Sequence, residues 1–234
     1  DPARVASISK LVVALGVMRL VDQGKIDLDR DVSTYLGWRV RNPAFPDAIV
    51  TMRHLLSHRS GLRDKIDYIV PLDGDLSTVL AKPEAWEVKY PPGRYFSYAN
   101  INSPLIAATM EAVAGERFDR LMARLVLQPL KLDACYNWGA GCSDRRRSQA
   151  VTLLRPNGDL ARDAAMKGPE PCAVYPASDG SCDVDKLYQL GRNGSAFSPQ
   201  GGFRISARDL AKVGQLLLND GQPLLSKEAF AEMI

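Results

Sequence analysis

The chain has 234 residues, of which 46% are hydrophobic and 24% charged, as in an ordinary soluble globular protein. This length allows one large domain, or a domain with an embedded helical subdomain. The net charge is +3 with acidic and basic residues interspersed, which argues against a nucleic-acid surface. No apolar run approaches the length of a membrane span. The basic run Arg145-Arg146-Arg147 is typical of a solvated loop.

The predicted helices begin close to the N-terminus. Residues 7–23 form a predicted helix that is apolar around most of its circumference and should be largely buried, and Gly24 is placed to end it. Further predicted helices are a short one within 25–38, one over 51–61 with Thr51 as N-cap, one over 103–114 capped by Ser103, and one over 118–127.

The second half of the chain is less regular. Residues 132–199 show no strong periodicity and are predicted to form a long irregular region with a short hairpin. Helices return over 206–218, where Ser206 and Asp209 resemble a capping box, and over a last segment capped by Ser226. We therefore treat residues 1–234 as a single domain with a helical region of about 7–131, a loop region of 132–199 and helices over 206–234.

Four cysteines lie at positions 135, 142, 172 and 182, among loop-forming residues. Neither close pair has the Cys-x-x-Cys spacing of structural zinc sites. An even number of cysteines in short-range loop pairs favours one or two disulfides, whose pairing stays open, and hence a periplasmic or secreted protein. Free thiols in a cytosolic protein are the alternative.

Ser7 and Lys10 lie three residues apart, on one face of the first predicted helix. Positive potential at a helix N-terminus favours an alkoxide-like oxygen on Ser7 and eases deprotonation of a nearby ammonium. A neutral Lys10 would then take the hydroxyl proton of Ser7, whose backbone N–H would face an oxyanion on the substrate. Taken alone, a Ser-x-x-Lys pattern is more typical of a capped helix with an exposed lysine.

Tyr98-Ala99-Asn100 follows a Pro-Pro-Gly turn. A tyrosine that faces two cations has its pKa lowered and can transfer protons. An amide such as Asn100 can donate to a substrate carbonyl and hold a lysine in place. The alternative is a packing aromatic followed by a turn asparagine.

Four blocks occur in a fixed order: Ser-x-x-Lys at 7–10, TMRHLLSHRSGL at 51–62, PPGRYFSYAN at 91–100 and GGFRISARDLAKVGQLLL at 201–218. With these blocks the chain resembles the serine β-lactamase and penicillin-binding protein superfamily, in the branch of class C β-lactamases, D-Ala-D-Ala carboxypeptidases, D-aminopeptidases, esterases and amide hydrolases. The resemblance runs from Val5 to Ile234 and is thin between 132 and 199.

The resemblance implies a serine hydrolase that works through an acyl-enzyme. Ser7 would be the nucleophile, Lys10 the general base or the group that keeps one deprotonated, and Tyr98 the partner base. Asn100 would orient Lys10 and bind the substrate. Sequence leaves open which of Lys10 and Tyr98 is the base. No cofactor and no metal are implied, and the expected partner is a small ester, amide or β-lactam substrate, with the oligomeric state open.

The resemblance also implies an α+β fold of the β-lactamase/transpeptidase type, with a helical subdomain and an antiparallel sheet. No Lys-Thr-Gly or His-x-Gly triplet occupies the expected place of the family's third motif. We expect that motif beyond Ile234, most sheet strands to be missing from this sequence, and the domain to be truncated at both ends.

Three alternatives remain at this stage. His54 and His58 have the i, i+4 spacing of zinc ligands, but the chain has two histidines and no glutamate follows His54, which favours packing beside the active site. A penicillin-binding sensor that acylates without turnover, or an inert peptide-binding scaffold, competes with the hydrolase. Among hydrolase substrates, a small-acyl ester or amide comes before a β-lactam. Three aromatic residues of the loop region either line an apolar acyl site or pack the loop on itself: Tyr136, Trp138 and Tyr175.

Overall fold

A computed structural model describes residues 1–139, 141–159, 172 and 174–234. Helices dominate it, and three short strands form one sheet. In chain order the elements are β1 (Ala3–Arg4), α1 (Ser9–Asp22), α2 (Val32–Leu36), α3 (Met52–Leu56), α4 (Leu76–Leu80), α5 (Asn102–Ala114), α6 (Phe118–Met122), β2 (Cys135–Tyr136), α7 (Asp144–Ser148), α8 (Val184–Leu187), β3 (Phe203–Ile205), α9 (Ala207–Leu218) and α10 (Lys227–Met233). Short 3-10 turns cover Ala6–Ile8 and Pro83–Ala85, and a π-helical turn, Ala123–Leu127, continues α6.

The sheet has the order β1-β3-β2 and is antiparallel throughout. Ala3 lies opposite Ile205, and Cys135 lies opposite Arg204. The central strand, β3, therefore pairs on one side with β1, which precedes α1, and on the other with β2, in the loop region. A helix-rich chain with a small antiparallel sheet agrees with the predicted α+β class.

Helix α1 lies in the centre of the core, against α5, α10 and the π-helical turn. Most of its residues are buried, as expected for a helix that is apolar nearly all round. Gly16 permits the close packing, because a Cβ there would lie 2.6 Å from Met122 Sδ. Burial on several sides fixes the position of α1, and with it the residues at its N-terminus.

Local capping rules predict several helix ends correctly. Gly24 has a φ of +66° just after α1. The Ser206 side chain accepts from Asp209 N, and the Ser226 side chain accepts from Ala229 N. Thr51 caps α3 by accepting from His54 N.

Other predicted boundaries are wrong. Helix α3 ends at Leu56, five residues before Gly61, and α5 begins at Asn102, so Ser103 is not its cap. The predicted first helix is divided, since Ser7 lies in a 3-10 turn before α1. The loop region contains β2, α7 and α8 in its described part. Tyr136 is buried there and donates to Ser9 O at 2.9 Å, so it packs in the core and lines no acyl site.

Two disulfides join Cys135 to Cys142 and Cys172 to Cys182. They confirm the prediction of one or two disulfides, settle the pairing that the sequence leaves open, and close two loops of the irregular region. Within the described residues, no helix is long and apolar enough to cross a membrane. Arg145, Arg146 and Arg147 lie in α7, so the basic run is helical where a loop was predicted.

Glu111 of α5 is a fully buried carboxyl. It accepts from Phe118 N at 2.7 Å and from Gly191 N at 3.1 Å. The Tyr188 hydroxyl lies 2.6 Å from Glu111 Oε1 and 2.8 Å from the Asn193 carbonyl oxygen. The Tyr188 hydroxyl has one hydrogen. When it donates that hydrogen to the Asn193 carbonyl oxygen, its bond with Glu111 requires a protonated Glu111 carboxyl as the donor. Burial, which outweighs these hydrogen bonds, raises the pKa of Glu111 from 4.5 to about 7.

We expect the variant Glu111→Gln to flatten the pH dependence of the free energy of unfolding. Because the carboxyl pKa is higher in the folded than in the unfolded protein, its protonation stabilises the fold. This contribution is at its maximum below pH 4.5, the pKa in the unfolded chain, and is lost as the pH rises through about 7, the pKa in the folded protein. The loss should be about 3–4 kcal/mol, at roughly 1.4 kcal/mol per pKa unit. Urea unfolding at a series of pH values measures it. Glu228→Gln, the same change at an exposed site of α10, should keep the wild-type slope; an unchanged slope in Glu111→Gln would contradict this account.

Candidate active site

A strained turn places Ser7 before α1. Ala6 has a φ of +46°, a conformation unfavourable for residues with a Cβ. Its carbonyl accepts from Ser9 Oγ at 2.6 Å, and Ser9 Oγ accepts from Phe203 N at 3.1 Å. The turn is thereby fixed to the central strand, with the Ser7 side chain exposed.

Lys10 Nζ is the centre of the hydrogen-bond network. It donates to Ser7 Oγ at 3.1 Å, to Asn100 Oδ1 at 2.9 Å and to the Gln200 carbonyl at 2.8 Å. These acceptors come from three separate chain segments. An ammonium has three hydrogens, so each one is directed at an acceptor.

Tyr98 lies on the other side of Ser7. Its hydroxyl is 2.8 Å from Ser7 Oγ, and its ring centroid is 5.0 Å from Lys10 Nζ. Partial burial acts to raise the pKa of Tyr98, but the hydrogen bonds with Lys10 and Ser7 and the lysine charge outweigh it, so the pKa is lowered from 10.0. All four predicted site residues, Ser7, Lys10, Tyr98 and Asn100, are therefore brought together.

Asp64 supports the loop that carries Tyr98 and Asn100. Its carboxylate accepts from Asn100 N at 2.8 Å, from Asn100 Nδ2 at 3.0 Å and from Ile101 N at 3.0 Å. These bonds fix Asn100 with its Oδ1 toward Lys10. Asp64 is not among the predicted site residues, because a single aspartate in a polar loop has no distinguishing pattern.

The two histidines form no metal pair. His58 lies beyond the end of α3, so the helical spacing assumed for His54 and His58 does not exist. The described part of the chain contains no group of three or more His, Cys, Asp or Glu residues arranged to bind a metal. The His58 ring instead stacks on Tyr98, with centroids 4.5 Å apart. Burial and the charge of Lys10 lower its pKa from 6.5, which favours the neutral ring.

The mouth of the site is open and apolar. Ile8, next to the serine, is 45% exposed, and Tyr98, hydrogen-bonded to the serine, is 50% exposed. Exposed apolar side chains beside a nucleophile are suited to contact an apolar group of a ligand.

Comparisons with known proteins agree with this geometry. The family model described as Beta-lactamase matches residues 2–234. Esterase EstB of Burkholderia gladioli is 31% identical over 245 residues, which cover 90% of this chain and 62% of the esterase. The chain thus spans less than two thirds of the length of this relative.

Solved structures show the same fold. A penicillin-binding protein homologue from Pyrococcus abyssi, described as octameric, superposes with a TM-score of 0.66 at 23% identity, over 99% of this chain and 48% of that one. A D-stereospecific amidohydrolase from Streptomyces sp. gives a TM-score of 0.66 at 23% identity, over 99% of this chain and 64% of that one. The chain belongs to the Beta-lactamase family and has the fold of its penicillin-binding and hydrolase members.

Proposed function

We propose that the protein is a serine hydrolase that cleaves an ester or amide bond through an acyl-enzyme on Ser7. One observation carries this proposal: the exposed Ser7 Oγ lies 3.1 Å from Lys10 Nζ and 2.8 Å from Tyr98 Oη. A serine hydroxyl between a cation and a proton acceptor is the arrangement that activates it as a nucleophile.

The hydrogen-bond geometry supports Tyr98 as the proton acceptor. The three Lys10 hydrogens have Ser7 Oγ, Asn100 Oδ1 and the Gln200 carbonyl as acceptors. The hydroxyl hydrogen of Ser7 is then left for Tyr98 Oη. The lowered pKa of Tyr98 makes its hydroxyl easier to deprotonate to the phenolate. Lys10 is in this scheme the cation that favours the phenolate and orients Ser7 Oγ.

The reaction then proceeds in two steps, acylation of Ser7 and hydrolysis of the acyl-enzyme. Ser7 Oγ attacks the substrate carbonyl carbon while its hydrogen passes to Tyr98 Oη, and the leaving group takes that hydrogen as its bond to the acyl carbon breaks. Water attacks the acyl carbon and gives one hydrogen to Tyr98 Oη. The bond from that carbon to Ser7 Oγ breaks, the carboxylic acid is released, and the hydrogen passes from Tyr98 Oη to Ser7 Oγ. The Ser7 backbone N–H serves as an oxyanion donor, a group whose loss costs about 10²–10³-fold in comparable sites. Asn100 orients Lys10, and its second amide hydrogen is assigned to the substrate.

The apolar mouth of the site favours a small apolar acyl group over a strongly charged one. Ile8, adjacent to Ser7 in the chain, and the half-exposed ring of Tyr98 present apolar surface beside Ser7. The similarity to a named esterase and to a named D-stereospecific amidohydrolase supports ester and amide substrates. The two disulfides support an oxidising compartment, periplasmic or extracellular.

The variant Ser7→Ala should lose both covalent labelling and hydrolysis, because the acyl-enzyme bond forms on Ser7 Oγ. Intact-protein mass spectrometry after incubation with a fluorophosphonate and, in parallel, a fluorescent penicillin measures the adduct. Ser148→Ala, the same change at an exposed serine of α7, should label like the wild type. Labelling of Ser7→Ala would end the assignment. A penicillin adduct that never hydrolyses, in a protein that also turns over no ester or amide, would indicate a sensor.

The variant Tyr98→Phe should slow turnover by roughly 10²–10⁴-fold, the effect of losing a general base. Initial rates with a p-nitrophenyl ester of a short acyl chain measure it. Tyr95→Phe is the matched control, since Tyr95 is a neighbouring exposed tyrosine that stacks on Tyr90. Equal rates in the two variants would contradict the role of the Tyr98 hydroxyl.

A further inference from the structure

His58 occupies a backbone position that normally favours glycine. Its φ is +55°, in the left-handed region. Arg59 N donates to His54 O at 2.8 Å and His58 N donates to Leu55 O at 3.2 Å, which is the hydrogen-bond pattern of a Schellman motif at the end of α3. A residue with a Cβ costs about 1 kcal/mol there relative to glycine. The local backbone therefore gives no reason for histidine.

The side chain of His58 contacts the loop that carries the tyrosine. Its ring stacks on Tyr98 at a centroid distance of 4.5 Å and an interplanar angle of 30°. Its Nδ1 accepts from Ala99 N at 3.3 Å, and its backbone carbonyl accepts from Ser97 N at 2.9 Å. Three consecutive residues, with Tyr98 in the middle, are thus bound to one histidine.

A chain of hydrogen bonds fixes the protonation state of the ring. Asn102 Nδ2 donates to Ala99 O at 2.9 Å, which sets the orientation of the amide, and Asn102 Oδ1 accepts from Ser60 Oγ at 2.6 Å. The same Nδ2 lies 3.1 Å from His58 Nδ1, so it donates there as well. Because Nδ1 receives hydrogens from Asn102 and from Ala99 N, the proton of the neutral ring lies on Nε2.

We propose that His58 is a positioning residue for Tyr98. This role rests on the proposed function, in which Tyr98 is the proton acceptor. The His58 ring packs against the phenol ring, Ser7 Oγ is hydrogen-bonded to the phenol oxygen, and the Lys10 ammonium lies 5.0 Å from the ring centroid. Without the ring, the half-exposed phenol has room to rotate away from Ser7 Oγ. A displacement of about 1 Å in such a group costs roughly 10²-fold in rate.

The variant His58→Gly tests this role, because glycine suits the left-handed backbone and leaves the Schellman motif intact. We expect kcat to fall roughly 10–100-fold with KM nearly unchanged and with a Tm close to that of the wild type. The acid limb of kcat/KM should move to higher pH, since a phenol moved away from Ser7 and the Lys10 charge regains a higher pKa; Asp64 and Tyr68 are the other ionisable groups that face it. Esterase rates over a pH series and thermal unfolding measure both.

Two further variants complete the experiment. Lys131→Gly makes the same kind of change at another left-handed position, φ +51°, and should retain full activity. His58→Asn keeps a residue that tolerates this backbone but removes the ring, and should lose activity like His58→Gly.

The outcomes separate the two proposals. Full activity in His58→Gly beside an inactive Ser7→Ala would overturn the positioning role and leave the serine mechanism intact. Activity in both would overturn the mechanism itself. A loss of activity that follows a lower Tm in both His58 variants would assign His58 to the fold and overturn the positioning role.

Discussion

The site depends on a single ammonium group. Lys10 Nζ joins the turn before α1, the loop at Asn100 and the loop at Gln200, three segments that are far apart in sequence. Charged donors make the stronger hydrogen bonds in proteins, and here one donor satisfies three acceptors. Removing it would leave the Asn100 and Gln200 oxygens without that partner and Ser7 without its cation. The relative position of Ser7 and Tyr98 therefore follows from where α1 holds this lysine.

The remainder of the fold keeps the partners of Lys10 from moving. Burial fixes α1, and hydrogen bonds through Ser9 attach the turn before it to the central strand. The loop with Tyr98 is supported on two sides, by the carboxylate of Asp64 and by the ring of His58. An exposed phenol can be positioned in this way because its neighbours in the chain are bound even though its own face is open to solvent.

Local rules predict what depends on neighbouring residues. The caps at Ser206 and Ser226 were predicted because a hydroxyl bonds to a backbone N–H three residues away, and four ordered blocks indicated the family. Long-range partners have no such signature. The Gln200 carbonyl is a backbone atom that any residue would supply. The sequence indicates for His58 only a four-residue spacing from His54. That spacing is not helical, because α3 ends two residues before His58, in a motif for which glycine is the usual sequence signal.

Three of the seven described non-glycine residues with positive φ lie around the site. Ala6, His58 and Ser198 all have positive φ, at +46°, +55° and +50°. The first directly precedes the serine, the second binds Tyr98, and the third begins the turn whose Gln200 carbonyl accepts from Lys10. Sequences tend to agree with local preferences except where function requires otherwise. Ordinary right-handed or extended backbone at these positions would direct the serine, the imidazole or the carbonyl elsewhere, so the strain is what allows three unrelated loops to meet at one lysine.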